Sequence, residues 1–217
     1  MAVSQSTLFS AAGVTLEGDV VVPGRAAGVV LFAHGSGSSR MSPRNRHVAE
    51  GLQQAGLATV LVDLLTPEEE RDESRASLRF DICLLASRLI AVTYDLAGRH
   101  AVARLGVGLF GASTGAAAAL VTAAECPRIV RAVVSRGGRP DLAGNHLGHV
   151  RQPTLLIVGE RDPVVVGLNR EALARLPGSS RLRIVPTATH LFEEPGTLDQ
   201  VTDLAADWFS RHLPPGP

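Results

Sequence analysis

The sequence predicts an α/β fold built on a central, mostly parallel sheet. Short apolar runs rich in β-branched residues alternate with longer segments of helical period. Most of those runs are continuous rather than alternating, as in parallel strands covered by helices on both faces. The length of 217 residues suffices for one sizeable core and falls short of two ordinary domains, so a single domain over 1–217 is expected.

Taken in order, the strand-like runs are Val14–Val22, Gly28–Ala33, Ala58–Val62, Gly106–Phe110, Ile129–Ser135, Thr154–Val158 and Leu182–Val185. Leu8–Phe9 is a candidate first edge strand. Helices are expected over Pro43–Ala55, Ser77–Gly98, Ser113–Glu125, Pro163–Leu176 and Thr197–Leu213. Gly56 stops the first of these, and Leu78, Ile82, Leu85, Leu89 and Val92 give the second a period near 3.6. The acidic run Pro67–Glu73 reads as a solvated loop or first helical turn. In such a sheet crossovers are right-handed and ligands bind beyond the carboxyl ends of the strands.

Composition excludes several classes of function. Hydrophobic residues make up 45% and charged residues 19%, the balance of a globular chain and not of a disordered one. Lys+Arg and Asp+Glu are equal at 21 each, which gives no electrostatic reason to expect nucleic acid or an anionic membrane as partner. Cys83 and Cys126 cannot form a disulfide framework and read as buried thiols. The opening MAVSQSTLFSAAG has no basic stretch followed by an apolar one. No apolar run reaches the roughly 20 residues of a spanning helix. A cytoplasmic enzyme is the expectation.

Four candidate features fall where strands end. Gly106–Phe110 runs into Gly111-Ala112-Ser113-Thr114-Gly115 and then a helix. This is G-x-S-x-G in strand–turn–helix context, where a sharp turn lifts a serine Oγ out of the sheet and glycines let strand and helix pass closely. The bland alternative is a serine that merely caps the helix. Asp162 follows the strand Thr154–Val158 and precedes Pro163; it is either a helix cap or the acid of a triad, with Glu160 as a possible substitute. His190 lies in the loop after Leu182–Val185. The chain order Ser…Asp…His at three strand ends is the order of one class of serine-hydrolase triad. The fourth feature is His34-Gly35-Ser36-Gly37 after Gly28–Ala33. An acyl-transfer site needs two N–H donors for an oxyanion, and the candidates are the backbone N–H groups of Ser36 and Thr114. Gly35 and Gly37 let backbone approach a substrate, while His34 reads as a structural histidine. Asp63 either lines the site or caps a turn.

His34-Gly-Ser-Gly, the Gly111–Gly115 turn, Gly159-Glu-Arg-Asp162 and Ala188-Thr-His190-Leu-Phe-Glu together resemble the dienelactone hydrolase-like branch of the α/β hydrolases. The resemblance runs from about residue 14 to 212. It implies an α/β-hydrolase fold of about eight strands, a three-layer sandwich, and hydrolysis of esters or lactones through an acyl-enzyme without a cofactor. It also implies Ser113 as nucleophile, Asp162 as acid and His190 as base. One departure is the serine at position 113, where true dienelactone hydrolases carry cysteine; this points to a general serine esterase. Some members of the branch occur joined to a phosphoribosyltransferase domain, and no such segment is evident here.

Only about 18 residues separate the strands ending at Ser135 and starting at Thr154, too few for a helical cap domain, so an open site is expected. Arg136 and Arg139 follow the first of these strands and are candidate partners for a substrate carboxylate. His100, His146, His149 and His190 lack metal-ligand spacing, so no metal is expected. The expected partner is a small-molecule ester or lactone, handled by a monomer or homodimer. An amidase or peptidase would use the same triad, an acyltransferase would need water excluded, and a non-catalytic binding protein would usually lack a triad member.

Overall fold

The computed structural model describes residues 3–99, 102 and 104–213. Eight strands form one sheet: β1 (Val3–Ala11), β2 (Val14–Val22), β3 (Gly28–Ala33), β4 (Ala58–Val62), β5 (Gly106–Ala112), β6 (Val130–Arg136), β7 (Thr154–Gly159) and β8 (Arg181–Val185). Their order across the sheet is β1-β2-β4-β3-β5-β6-β7-β8. β2 runs antiparallel to both neighbours, and every other pairing is parallel. The six residues of β3 and the five of β4 are all buried, which is why these strands read as unbroken apolar runs.

The edge strand is longer than Leu8–Phe9. It pairs with β2 from Val3↔Val22 to Ala11↔Val14 around the turn Ala12-Gly13, where both residues have positive φ. Such a turn matches the twist of a hairpin and favours glycine. Only Phe9 and Ala11 of β1 are buried, so most of the strand carries no hydrophobic signal.

Helices α1 (Pro43–Gln54) and α6 (Thr197–His212) pack on one face of the sheet over Phe32, Phe110, Ala132 and Ile157. On the other face lie α3 (Ile82–Gly98) and α4 (Thr114–Glu125), over Leu31, Val60, Leu109 and Val133. Phe209 of α6 fits against Gly108, where a Cβ would come within 2.6 Å of its ring. The remaining helices are α2 (Pro67–Arg71) and α5 (Pro163–Leu173).

Several expectations are corrected here. The segment Ser77–Gly98 is two elements, a 3₁₀ stretch over Glu73–Phe80 and then α3, because the Asp81 carboxylate accepts from Leu84 N and caps a new helix. Of the two readings of the acidic run, the helical turn holds: Pro67–Arg71 forms α2, with a reciprocal capping box between Thr66 and Glu69. Glu69 in turn pairs with buried Arg88 through two bonds of 2.7 Å, and that guanidinium lowers the carboxyl below its ordinary range. α5 ends at Leu173 rather than Leu176. The connection after β6 contains a 3₁₀ stretch, Pro140–His149. Cys126 is buried but Cys83 is exposed, since its position falls on the outer side of α3. Among the described residues, no helix is long and apolar enough to cross a membrane.

Candidate active site

β5 ends at Ala112, and the chain turns into α4 at Ser113, which has φ 51° and ψ −120°. A non-glycine residue there is strained, by about 1–3 kcal/mol. The turn is held from both sides: Ser113 N–H donates to Arg136 O at 3.2 Å, and Ser113 O accepts from the N–H groups of Ala116 and Arg139, each at 3.1 Å. The glycines are sterically required. A Cβ on Gly115 would overlap the carbonyl oxygens of Ala33 and His34, and one on Gly111 would come within 2.7 Å of Gly115 O. The Ser113 side chain accepts no cap bond from the N–H groups of α4, so the capping role does not explain it.

Asp162 makes no cap bond to α5 either. Its Oδ2 instead meets His190 Nδ1 at 2.6 Å. A carboxylate only accepts, so His190 Nδ1 is the donor in this contact, an arrangement that in a neutral imidazole leaves Nε2 as the acceptor. Asp162 is mostly covered, whereas 40% of the His190 side chain is exposed. Glu160, the substitute acid, accepts from Thr187 N at 2.9 Å and shapes the histidine loop. Glu194 does the same from the other side by accepting from Thr189 N at 3.0 Å; that bonding holds its carboxyl below the ordinary range.

Ser113 and His190 share one neighbour, the Arg136-Gly137 turn. Arg136 O accepts from Ser113 N–H, and a Cβ on Gly137 would lie 3.6 Å from His190 Cε1. Ser113 and the ring thus flank one peptide, although no hydrogen bond joins Ser113 Oγ to His190 among the described residues. Such bonds often tighten only around a bound substrate.

The loop after β3 lies against the same turn: a Cβ on Gly35 would be 3.0 Å from Ser113 Cβ. Gly35 O accepts from His34 Nδ1 at 3.0 Å and from Ser38 N at 3.2 Å, while His34 Nε2 accepts from Leu64 N at 3.0 Å. His34 is therefore the structural residue expected. Burial lowers its pKa and keeps it neutral. In a trans peptide the N–H points opposite the C=O, so Ser36 N–H is turned toward α4. It donates to Thr114 Oγ1 at 2.9 Å. The two residues that carry the candidate oxyanion donors are thus in contact, and Ser36 N–H already has an acceptor in the Thr114 hydroxyl. Gly37, with φ 68°, closes the turn.

The role of Asp63, open between lining the site and capping a turn, is set by a partner that is not local. It receives Arg40 N at 2.6 Å and also pairs with the Arg40 guanidinium, whose other nitrogen meets Glu17 at 2.5 Å. This clamp ties the loop after β3 to β2 and β4. The two arginines after β6 part company. Arg139 forms a bidentate pair with Asp141, at 2.9 and 2.7 Å, and that carboxylate raises its pKa. Arg136 is buried and has no carboxylate partner among the described residues. No group of three or more His, Cys, Asp and Glu side chains that could hold a metal occurs among the described residues; His100 lies outside them.

This sheet order, the strained serine between glycines and the mostly covered carboxylate on a loop histidine define an α/β hydrolase, and the alpha/beta hydrolase domain family matches residues 26–209. The chain belongs to that family, on its dienelactone hydrolase-like side. It is 58% identical to a dienelactone hydrolase from Anabaena variabilis, with 98% of this chain and 99% of that one aligned at a TM-score of 0.95. It is 64% identical over 206 residues to a Mycobacterium tuberculosis protein described as "Putative phosphoribosyl transferase", covering 94% of this chain and 46% of that protein. The chain therefore spans about half the length of that curated relative. An esterase domain from Rhodothermus marinus shares the fold at 18% identity, with 97% and 99% of the chains aligned and a TM-score of 0.76.

Proposed function

We propose that this chain is a serine hydrolase that cleaves carboxylic esters or lactones of small molecules through an acyl-enzyme. The observation that carries the reading is the 2.6 Å bond from His190 Nδ1 to Asp162, delivered to the strand end where Ser113 stands in strained geometry. Ser113 Oγ attacks the acyl carbon while His190 Nε2 takes its proton. Asp162 holds the tautomer and stabilises the imidazolium. The developing oxyanion accepts from the N–H groups of Thr114 and Ser36, the latter exchanging the Thr114 hydroxyl for the new, charged acceptor; one such donor contributes about 10²–10³ in rate. The imidazolium proton passes to the departing alkoxide, and water activated by His190 releases the acid. Gly35 and Gly37 are the substrate-facing backbone of this loop.

The likeness to an Anabaena variabilis dienelactone hydrolase supports lactones among the substrates. The name of the mycobacterial relative describes a protein about twice as long, and phosphoribosyl transfer is not the chemistry of a Ser–His–Asp arrangement.

The test is hydrolysis of a short p-nitrophenyl ester series by the wild type and Ser113→Ala, with intact mass after fluorophosphonate treatment. Turnover abolished by Ser113→Ala, together with one adduct on Ser113, is the expected result. Absence of both turnover and adduct overturns the reading.

A further inference from the structure

Arg136 is the last residue of β6, one strand from the nucleophile, in register with Ala112 of β5 and Ile157 of β7. Its backbone carbonyl supports Ser113. Its side chain leaves the sheet toward the first turn of α1, where Nη2 donates to Asn45 Oδ1 at 3.3 Å. Asn45 is itself buried. Nothing there balances the charge. Arg136 Nε is buried with no hydrogen-bond partner, and no carboxylate lies within ion-pair distance among the described residues. The residue keeps only 8% of its exposure.

Arg44, at the second position of α1, acts on Arg136 as a like charge; burial first and Arg44 second bring the Arg136 pKa down to about 10. Arg44 is only weakly compensated, by a 3.2 Å contact to exposed Glu193, and its own Nε has no partner among the described residues. Burying a cation without a counter-ion costs several kcal/mol. Replacing it by an apolar residue would relieve that cost, so a fold that keeps it calls for a reason other than stability.

We infer that Arg136, with Asn45 and Arg44, forms an anion subsite beside Ser113 that takes a carboxylate or phosphoryl group borne by the substrate. That the anionic group belongs to a substrate rests on the hydrolase reading; the subsite itself does not. An oxyanion supplies the acceptors that Nε and the rest of the guanidinium fork lack, and Arg binds such groups bidentately. Arg139 has no part in it, because Asp141 already neutralises that fork. Substrates with an anionic group a few bonds from the scissile carbonyl are the class selected.

Two measurements keep this separable from the hydrolase reading. The first needs no turnover: melting of the wild type, Arg136→Met and Arg136→Lys with succinate, with inorganic phosphate, and with chloride at equal ionic strength. Succinate or phosphate raises the wild-type Tm above the chloride control, and which of them does so tells carboxylate from phosphoryl. Arg136→Met abolishes the rise, and Arg136→Lys, which keeps the charge without the fork, retains part of it. Equal shifts in wild type and Arg136→Met, or none with either anion, overturn the subsite. The second compares kcat/KM for p-nitrophenyl butyrate, mono-p-nitrophenyl succinate and the matching phosphonate ester. The wild type favours an anionic ester over the neutral one, and Arg136→Met reduces that ratio about 10–100-fold, as expected for one charge-assisted hydrogen-bonded pair. A ratio unchanged by the substitution sinks the inference even if all three esters turn over. If no ester turns over while the melting shifts follow Arg136, the hydrolase reading fails and the anion subsite stands.

Discussion

The conformation of Ser113 can be measured as an energy. At φ 51° and ψ −120° any L side chain is strained by about 1–3 kcal/mol, whereas glycine occupies positive φ without that penalty. Ser113→Gly releases the strain and Ser113→Ala retains it. Against this, glycine loses more chain entropy on folding than alanine, about 0.5–1 kcal/mol. The difference leaves Ser113→Gly more stable than Ser113→Ala by up to about 2.5 kcal/mol. For a chain of this size that is up to about 10 °C in Tm. Urea denaturation at fixed pH reads the same quantity, with both variants sharing one m-value. A control sits at Ser87, an exposed residue within α3, where ordinary helical geometry makes glycine the worse of the two by about 1 kcal/mol. The sign should therefore reverse between positions 113 and 87. If Ser113→Gly is no more stable than Ser113→Ala, the turn stores no strain and the account of why the serine is presented to substrate is wrong.

Two further outcomes can be checked. Asp162→Asn leaves a neutral side chain opposite His190 Nδ1 and favours the wrong tautomer, so kcat on a p-nitrophenyl ester should fall on the order of 10³–10⁴; a loss under tenfold would mean that another carboxylate, Glu160 first, orients the ring. Buried His34 has its pKa lowered in the folded state, so below the ordinary value near 6.5 the unfolded chain binds a proton that the folded chain refuses. Stability is then full above pH 6.5 and declines as pH falls through that value. His34→Gln should shrink the drop in urea midpoint between pH 7.5 and 5.5, and an unchanged drop would show that His34 accepts the proton in place.

The parts of the fold legible in the sequence are those whose burial is uniform. β3, β4, β5 and β7 are buried on both faces and read as apolar runs. The 3₁₀ stretches Glu73–Phe80 and Pro140–His149 have neither a 3.6 nor a 2.0 period, so one merged with α3 and the other read as loop. Ser113, Asp162 and His190 were visible because each stands at a strand end in a fixed chain order. The partners of Asp63 and Arg136 were not, because Arg40 and Asn45 reach them across 23 and 91 residues. Spacing in the chain carries no trace of such contacts. The engagement of Ser36 N–H by Thr114 Oγ1 likewise depends on two loops meeting 78 residues apart. Arg139 read as a twin of Arg136, and only the Asp141 pair separates them.

The absence of a side chain at Gly115 lets the Ser113 turn rest directly on the carbonyls of Ala33 and His34, and Arg40 anchors the far end of the loop after β3 to Asp63 and Glu17. The Ser113 turn and that loop are consequently braced against each other, and neither can be reshaped alone by substitution. New specificity would have to be gained at the periphery, in the two 3₁₀ stretches that follow β4 and β6. Laboratory evolution of this chain should collect its useful changes there, and a library aimed at residues 34–38 or 111–116 should return mostly unfolded protein.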